Sequence, residues 1–284
     1  MNDQHGEIRI GMGQIAVEQG NIEANMNRAH GAIKQAAQLG VDIVVLPECS
    51  DLGWTFEDAP RLAAPIPGKI SDMLAAWALE HRIHVVAGLT ERDGERTYNA
   101  AVLIDAEGKL LLKHRKINEL DIAHHVYSQG DRLGVADTRF GMVGIDICAD
   151  NFPSSLVFGH ALARMGARLI LSPSAWAVDA THDNKRQPYG KMWKKAYSTL
   201  AKLYDVYVIG VSNVGWITSG PWKGKKCIGN SIAVGPGGKL IAQAPYGVDA
   251  DAEAMIVVPV TPVELKLWGT EFPRYLKKKG YHGI

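Results

Sequence analysis

Three side chains of this sequence could share covalent chemistry: a cysteine, a glutamate and a lysine, each at the end of a strand-like run. Cys148 closes the run Met142 to Ile147, and Ala149-Asp150-Asn151-Phe152-Pro153 follow before a helical pattern begins at Ser154. Polar residues ahead of a proline mark a helix start. A cysteine there meets the positive end of the helix dipole, which favours the thiolate. Nearby backbone N–H groups can receive a developing oxyanion. A small buried core residue is the other reading, since most free cysteines are that. Glu48 ends the largely apolar run Val41 to Leu46 after Pro47. That places a carboxylate at the C-terminal edge of a strand, where open α/β sheets bind ligands; an ordinary surface glutamate is the alternative. Lys116, in Lys113-His114-Arg115-Lys116, reads by itself as a solvated strand end.

The elements that must position these groups alternate between strand and helix. Ile8 to Ala16 reads as a strand. Asn21 to Leu39 has apolar residues at helical spacing, with Asn21 as N-cap. Val41 to Leu46 is rich in β-branched residues, as buried strands are. Residues 69–82 look helical and Ile83 to Leu89 extended. Tyr98 to Ile104 and Leu110 to Lys113 flank Ala106-Glu107-Gly108 as a hairpin. The second half repeats this order: GVDIVVLPE (40–48) resembles GARLILSPS (166–174), HVVAG (84–88) resembles YVIGV (207–211), and NAAVLIDAEGKL (99–110) resembles NSIAVGPGGKL (230–240). Three matches in one order indicate an internal duplication. Each half is then a sheet with helices on one face, and bare sheet faces must be covered. The expected fold is α/β, a four-layer α-β-β-α sandwich of two duplicated halves. Without a Pro/Gly/Ser-rich linker between the halves, residues 1–284 read as one domain.

The strings LPECSDLGW (46–54), HRKIN (114–118) and GIDICADNFP (144–153), in this order, resemble the signatures of the nitrilase, or carbon–nitrogen hydrolase, superfamily. SNVGW (212–216), Gly229 and Ser231 resemble a later block of that family, whose fold is also the duplicated layering. The resemblance implies that Glu48 is the general base, that Cys148 attacks the carbonyl carbon, and that Lys116 and the Ala149 N–H stabilise the oxyanion. One departure stands out. Many members carry a second glutamate shortly before a Gly-Asp pair. Here Gly130-Asp131 is preceded by Ile122 to Gln129, which has no carboxylate. Glu119 and Asp121 are the nearest acids, both unusually close to Lys116. One of them, or His124 or His125, could fill the role, or the role is absent.

Nitrile-cleaving members typically have Cys-Trp-Glu at the nucleophile. Cys148-Ala149-Asp150 followed by Phe152-Pro153 looks more like the amidase and carbamoylase branches. Hydrolysis of an amide or N-carbamoyl group is therefore expected, with Asp150 capping the following helix. Trp54 and Trp176 are candidate walls of the substrate pocket. No arginine is placed to bind a substrate carboxylate. The alternatives are a nitrilase, an amidotransferase-like glutaminase part, a catalytically silent scaffold of the same fold, and a metal hydrolase. The last lacks any His-x-x-x-His pair on a predicted helix face.

Composition narrows the field. The chain has 284 residues, and 46% are hydrophobic, enough for a sizeable core. The 31 basic and 30 acidic residues nearly cancel, so neither nucleic acid nor an anionic membrane is an expected partner. Lys277-Lys278-Lys279 reads as a solvated tail. The opening residues show no basic and apolar leader pattern, and no apolar run approaches the ~20 residues that span a bilayer. Cys49, Cys148 and Cys227 cannot all pair and lack zinc-ligand spacing, so a reduced, cytoplasmic setting without a metal is expected. Gly235-Pro236-Gly237-Gly238 reads as a hairpin turn, and no cofactor is expected. Family members usually assemble, and residues 265–284, with Trp268, Phe272 and Tyr275, show no strand partner; a homo-oligomer using this tail is expected.

Overall fold

The computed structural model describes residues 6–267 and 269–283. Trp268 and most of the opening residues that bear on a leader lie outside them. The first half contains β1 (Ile8–Gln14), α1 (Ile22–Gln38), β2 (Ile43–Val45), α2 (Ala59–Leu62), α3 (Lys69–His81), β3 (His84–Asp93), β4 (Arg96–Ile104) and β5 (Leu110–Arg115). The second contains β6 (Val135–Thr138), β7 (Gly141–Ile145), α4 (Leu156–Arg164), β8 (Leu169–Ser174), β9 (Ala177–Val178), α5 (Lys191–Tyr204), β10 (Tyr207–Ser212), β11 (Val214–Trp216), β12 (Lys226–Ile228), β13 (Ile232–Gly235) and β14 (Lys239–Gln243). β15 (Ala254–Val260) and α6 (Glu271–Lys278) follow.

The duplication is visible in the strand order. One sheet runs β15-β1-β2-β3-β4-β5 and the other β6-β7-β8-β10-β13-β14. Read in those directions, β2 corresponds to β8, β3 to β10, and the hairpin β4–β5 to β13–β14, the pairs that match in sequence. Both hairpins slip register at equivalent places, Leu103/Ile104 and Ala233/Val234. β15 returns to pair antiparallel with β1, and β6 pairs antiparallel with β7. Strand alternation divides the core. Ile43 and Val45 point into the interface between the sheets, where they join Val86, Ile145 and Leu171. Val44 and Leu46 point the other way, under Met26 and Ile33 of α1 and Leu74 of α3. Leu200 of α5 and Leu162 of α4 cover the second sheet. The layers are helix, sheet, sheet, helix.

Local chemistry accounts for the element ends. The Asn21 side chain accepts from the Ala24 N–H at 3.3 Å and caps α1. Gly88 of β3 lets the strand end carrying Glu48 approach closely, because a Cβ there would lie 2.5 Å from the Glu48 Cα. Several boundaries differ from expectation, two of them near the site. Residues 41–46 yield only the short strand Ile43–Val45, and the helix expected from Ser154 starts at Leu156, after tight turns at Cys148–Asn151 and Pro153–Ser155.

The C-terminal residues find their partner within the chain. Phe272 and Leu276 of α6 are buried, Phe272 sits 5.9 Å from the Tyr204 ring, and Asp205 accepts from Tyr275 and Lys279. An amphipathic helix, not a strand, answers the missing strand partner. Among the described residues, no helix is long and apolar enough to cross a membrane.

Candidate active site

Glu48, Lys116 and Cys148 come together at the ends of three elements. Glu48 leaves β2, and its backbone N–H donates to the Ser174 carbonyl at the end of β8, 3.2 Å away. These two residues occupy matching places in the duplicated strings, so the halves are joined at the site itself. Lys116 follows β5 and is held by its N–H to the Asn99 carbonyl at 2.8 Å. Cys148 follows β7, with φ of +44°. A non-glycine residue in that region stores strain that surrounding contacts must hold, a frequent property of functional residues.

The polar groups form a closed set. Glu48 Oε1 accepts from Lys116 Nζ at 2.7 Å and from Asn99 Nδ2 at 2.6 Å. Glu48 Oε2 is buried with no hydrogen-bond partner. Burial pushes the Cys148 thiol well above its usual range, and the Glu48 charge adds to this. Lys116 and the Ala175 amide pull the other way without reversing it. The resting group is therefore a thiol, which needs a base. The expected help from a helix dipole is absent at this point, because α4 begins only at Leu156. For Lys116, burial opposes the charge, but the carboxylates of Glu119 and Glu48 outweigh it and hold the ammonium firmly protonated.

Of the candidates for the open position, Glu119 lies beside Lys116. Its carboxylate is fully buried, with Oε2 3.6 Å from Lys116 Nζ. Burial raises its pKa to about 7; Lys116 lowers it, and Glu48 and Asp150 push it further up. Asp121, His124 and His125 are exposed and take no part. The stretch before Gly130 serves packing instead: the Tyr127 hydroxyl contacts Cys49 Sγ and accepts the Thr55 N–H at 3.0 Å.

Asp150 corrects an expectation. It does not cap the following helix. It is fully buried and accepts from His114 Nε2 at 2.8 Å and from the N–H groups of Ile117, Asn118 and Ile147 at 3.1, 2.8 and 3.0 Å. Asn118 Nδ2 reaches back to the Ala149 carbonyl at 2.7 Å. The turn carrying Cys148 is thereby clamped to the segment carrying Lys116. Sequence reasoning treated Asp150 locally, whereas three of its four partners lie more than thirty residues upstream.

The three groups open into a cavity of about 400 Å³, mouth included. Trp54, Ala149 and Trp176 line it, as do Trp193, Trp222 and Tyr189, which the sequence did not single out. Their only sequence signal was aromatic type, and they come from distant segments. Gly229 and Ser231 lie beside Gln14 instead, whose Oε1 accepts from Ser231 at 2.8 Å. Among the described residues, one group of side chains could gather around a metal ion, His30, Glu80 and His81. It sits on α1 and α3, and none of its members lines the cavity.

Comparison with known proteins agrees with this geometry. The carbon-nitrogen hydrolase family profile matches residues 9–268. An omega-amidase from Xenopus laevis is 31% identical over 78% of this chain and 78% of its own length. A nitrilase from Pyrococcus abyssi is 32% identical over 78% of this chain and 79% of its own. The crystal structure of a nitrilase-superfamily member from Saccharomyces cerevisiae superposes with a TM-score of 0.76 at 24% identity, covering 98% of this chain and 95% of that one. The extent of the profile match and these relatives show that the chain belongs to the carbon–nitrogen hydrolase family, the nitrilase superfamily.

Proposed function

We propose that the protein hydrolyses an amide or N-carbamoyl group through a thioester on Cys148, with Glu48 and Lys116 as the other catalytic residues. The observation that carries this reading is the closed Glu48–Lys116 pair beside the buried Cys148 side chain, whose thiol burial pushes above its usual range. Glu48 Oε2 has no partner of its own and takes the thiol proton as Cys148 Sγ bonds to the carbonyl carbon. The charge developing on the carbonyl oxygen meets Lys116 Nζ and the Ala149 N–H. Glu48 returns the proton to the nitrogen, the C–N bond breaks, and ammonia or an amine leaves. Glu48 next takes a proton from water, whose oxygen attacks the thioester; the thiol is restored and the acid released. Glu119, 3.6 Å from Lys116 Nζ, helps Glu48 position it. Trp54, Ala149 and Trp176 contact the substrate. Relatives named omega-amidases support an amide as the bond cleaved.

Measuring ammonia release from matched primary amides, N-carbamoyl compounds and nitriles tests the reading. Turnover of the first or second class is expected; turnover of nitriles alone would contradict it. The same reading places the protein in a reducing, cytoplasmic setting, in keeping with three free cysteines. It also makes the protein a homo-oligomer. Leu240 and Ile241, exposed side by side on the edge strand β14, support a contact between copies, and sedimentation of a monomer alone would contradict it.

A further inference from the structure

The cavity beside Cys148 is walled by aromatic rings and small apolar groups. Trp176 and Trp193 stack 5.0 Å apart and nearly parallel, and both are buried. Trp54 and Trp222 meet edge to face at 5.0 Å. Phe152 leans on Trp193 at 5.3 Å. The hydroxyl of Tyr189, a further lining residue, accepts from Trp193 Nε1 at 2.9 Å, which leaves its own O–H as an uncharged donor. Ala149, Ala175 and Ala177 fill the remaining wall, and Met192 stands at the exposed mouth.

The charges that line this space are those of Glu48 and Lys116. Lys116 is already held by two carboxylates, at 2.7 and 3.6 Å. The donor it has left is the one that meets the carbonyl oxygen of the amide, and a permanent anion elsewhere on the substrate would also face Glu48 and Glu119. Lys225 stacks on Trp222 at 4.7 Å, but its ammonium is tied to Asp179 at 2.7 Å and does not line the cavity. A carboxylate carried into this wall would lose its water without gaining a counter-charge. A cationic group fares little better. Aromatic faces attract cations, but the Lys116 ammonium already lies 5.8 Å from the Trp54 ring and repels a second positive charge.

We infer that the substrate's acyl group is neutral and apolar, short-chain aliphatic or a small ring, with the amide as its one strongly polar group. This rests on the amide-hydrolase reading of the same site, and it extends that reading to the class of substrate. Apart from Glu48 and Lys116 the wall has no charged side chain to pair with a charged terminus, and its polar atoms are neutral, so selectivity comes from the difference between burying a methyl group and burying an ion.

The four lining tryptophans supply a direct readout. The Cys148→Ala protein is titrated, by tryptophan fluorescence, with three amides of matched length: valeramide, glutaric acid monoamide and δ-aminovaleramide. Valeramide should bind at least about ten-fold more tightly than either charged analogue. Equal or tighter binding of either charged analogue, or binding of none of the three, would overturn the inference. A second variant, Met192→Arg, places a cation at the mouth. It should shift the valeramide-to-monoamide ratio at least about ten-fold towards the monoamide, and an unchanged ratio would also count against the inference. Ammonia release by the unaltered enzyme from any of the three judges the amidase reading separately, so failure of one is told apart from failure of the other.

Discussion

The ammonium of Lys116 lies 3.6 Å from the carboxylate of Glu119, three residues further along the chain, and both side chains are shut away from solvent. With Glu48 at 2.7 Å on the same nitrogen, one lysine is shared by two buried acids. Two acids so close cannot both ionise freely. Burial, before any neighbouring charge, sends the strain to Glu119, which titrates at about 7 against 4.5 for an unburied glutamate.

This predicts a pH-dependent stability with a defined sign. Between about 4.5 and 7 the folded state holds a proton on Glu119 that the unfolded chain has released. Stability therefore falls as pH rises through that window, and the Glu119 contribution is on the order of a few kcal/mol. Glu119→Gln keeps the shape of the protonated acid and removes the titration. Thermal melts at pH 5 and pH 8 should show a smaller loss of stability for Glu119→Gln than for the unaltered protein. Equal losses would place the proton elsewhere, for example on Asp146, which is also buried and raised to about 7.

Lys116→Met should lower the rate of ammonia release by roughly 10²–10³-fold, the usual effect of losing one oxyanion donor. Steady-state kinetics on one amide checks this. The loss should appear in kcat, since the charge it stabilises develops only in the transition state. A change confined to KM would make Lys116 a binding residue.

Asp150→Asn should unclamp the nucleophile turn. The carboxylate accepts from four donors, and an amide would direct its own N–H groups at some of them. Leaving buried donors unpaired should cost about 2–4 kcal/mol by denaturant titration. At temperatures where the variant is folded, kcat should fall more than KM rises, because Cys148 and Lys116 would lose their mutual placement. Unchanged kinetics in a stable variant would make the clamp a matter of folding alone.

Much of this was legible in the sequence, and the remainder has identifiable causes. The strings at Glu48, Lys116 and Cys148 each end a strand, β2 and β5 in one sheet and β7 in the other, and the packing of the two sheets brings the three groups together. The repeated strings indicated the duplication, and β4–β5 and β13–β14 keep even their register shift in common. What escaped was non-local. Glu119 was one of several candidates, left open because it sits unusually close to Lys116; the chain turns there so that the two side chains approach to 3.6 Å. Asp150 was given a local capping role because its true partners come from β5 and the segment after it. Nor could sequence pattern show that α6 would fold back on Tyr204 and Asp205, since an amphipathic helix does not name its partner.

That last contact carries its own prediction. Phe272 is 5% exposed and packs between Tyr204 and the Arg164 guanidinium. Phe272→Ala should cost about 3 kcal/mol in a denaturant titration. Activity at room temperature should persist, because α6 does not touch the cavity. Loss of activity without loss of stability would tie the C-terminal helix to the site.

The central claim is a thioester on Cys148, and peptide mapping by mass spectrometry of acid-quenched turnover mixtures tests it most directly. The account predicts that the peptide carrying Cys148 gains the mass of the acyl group less one hydrogen. It also predicts that Cys148→Ala forms no adduct and releases no ammonia. Full-rate ammonia release by Cys148→Ala, or an acyl group found on Cys49 or Cys227 instead, would contradict it.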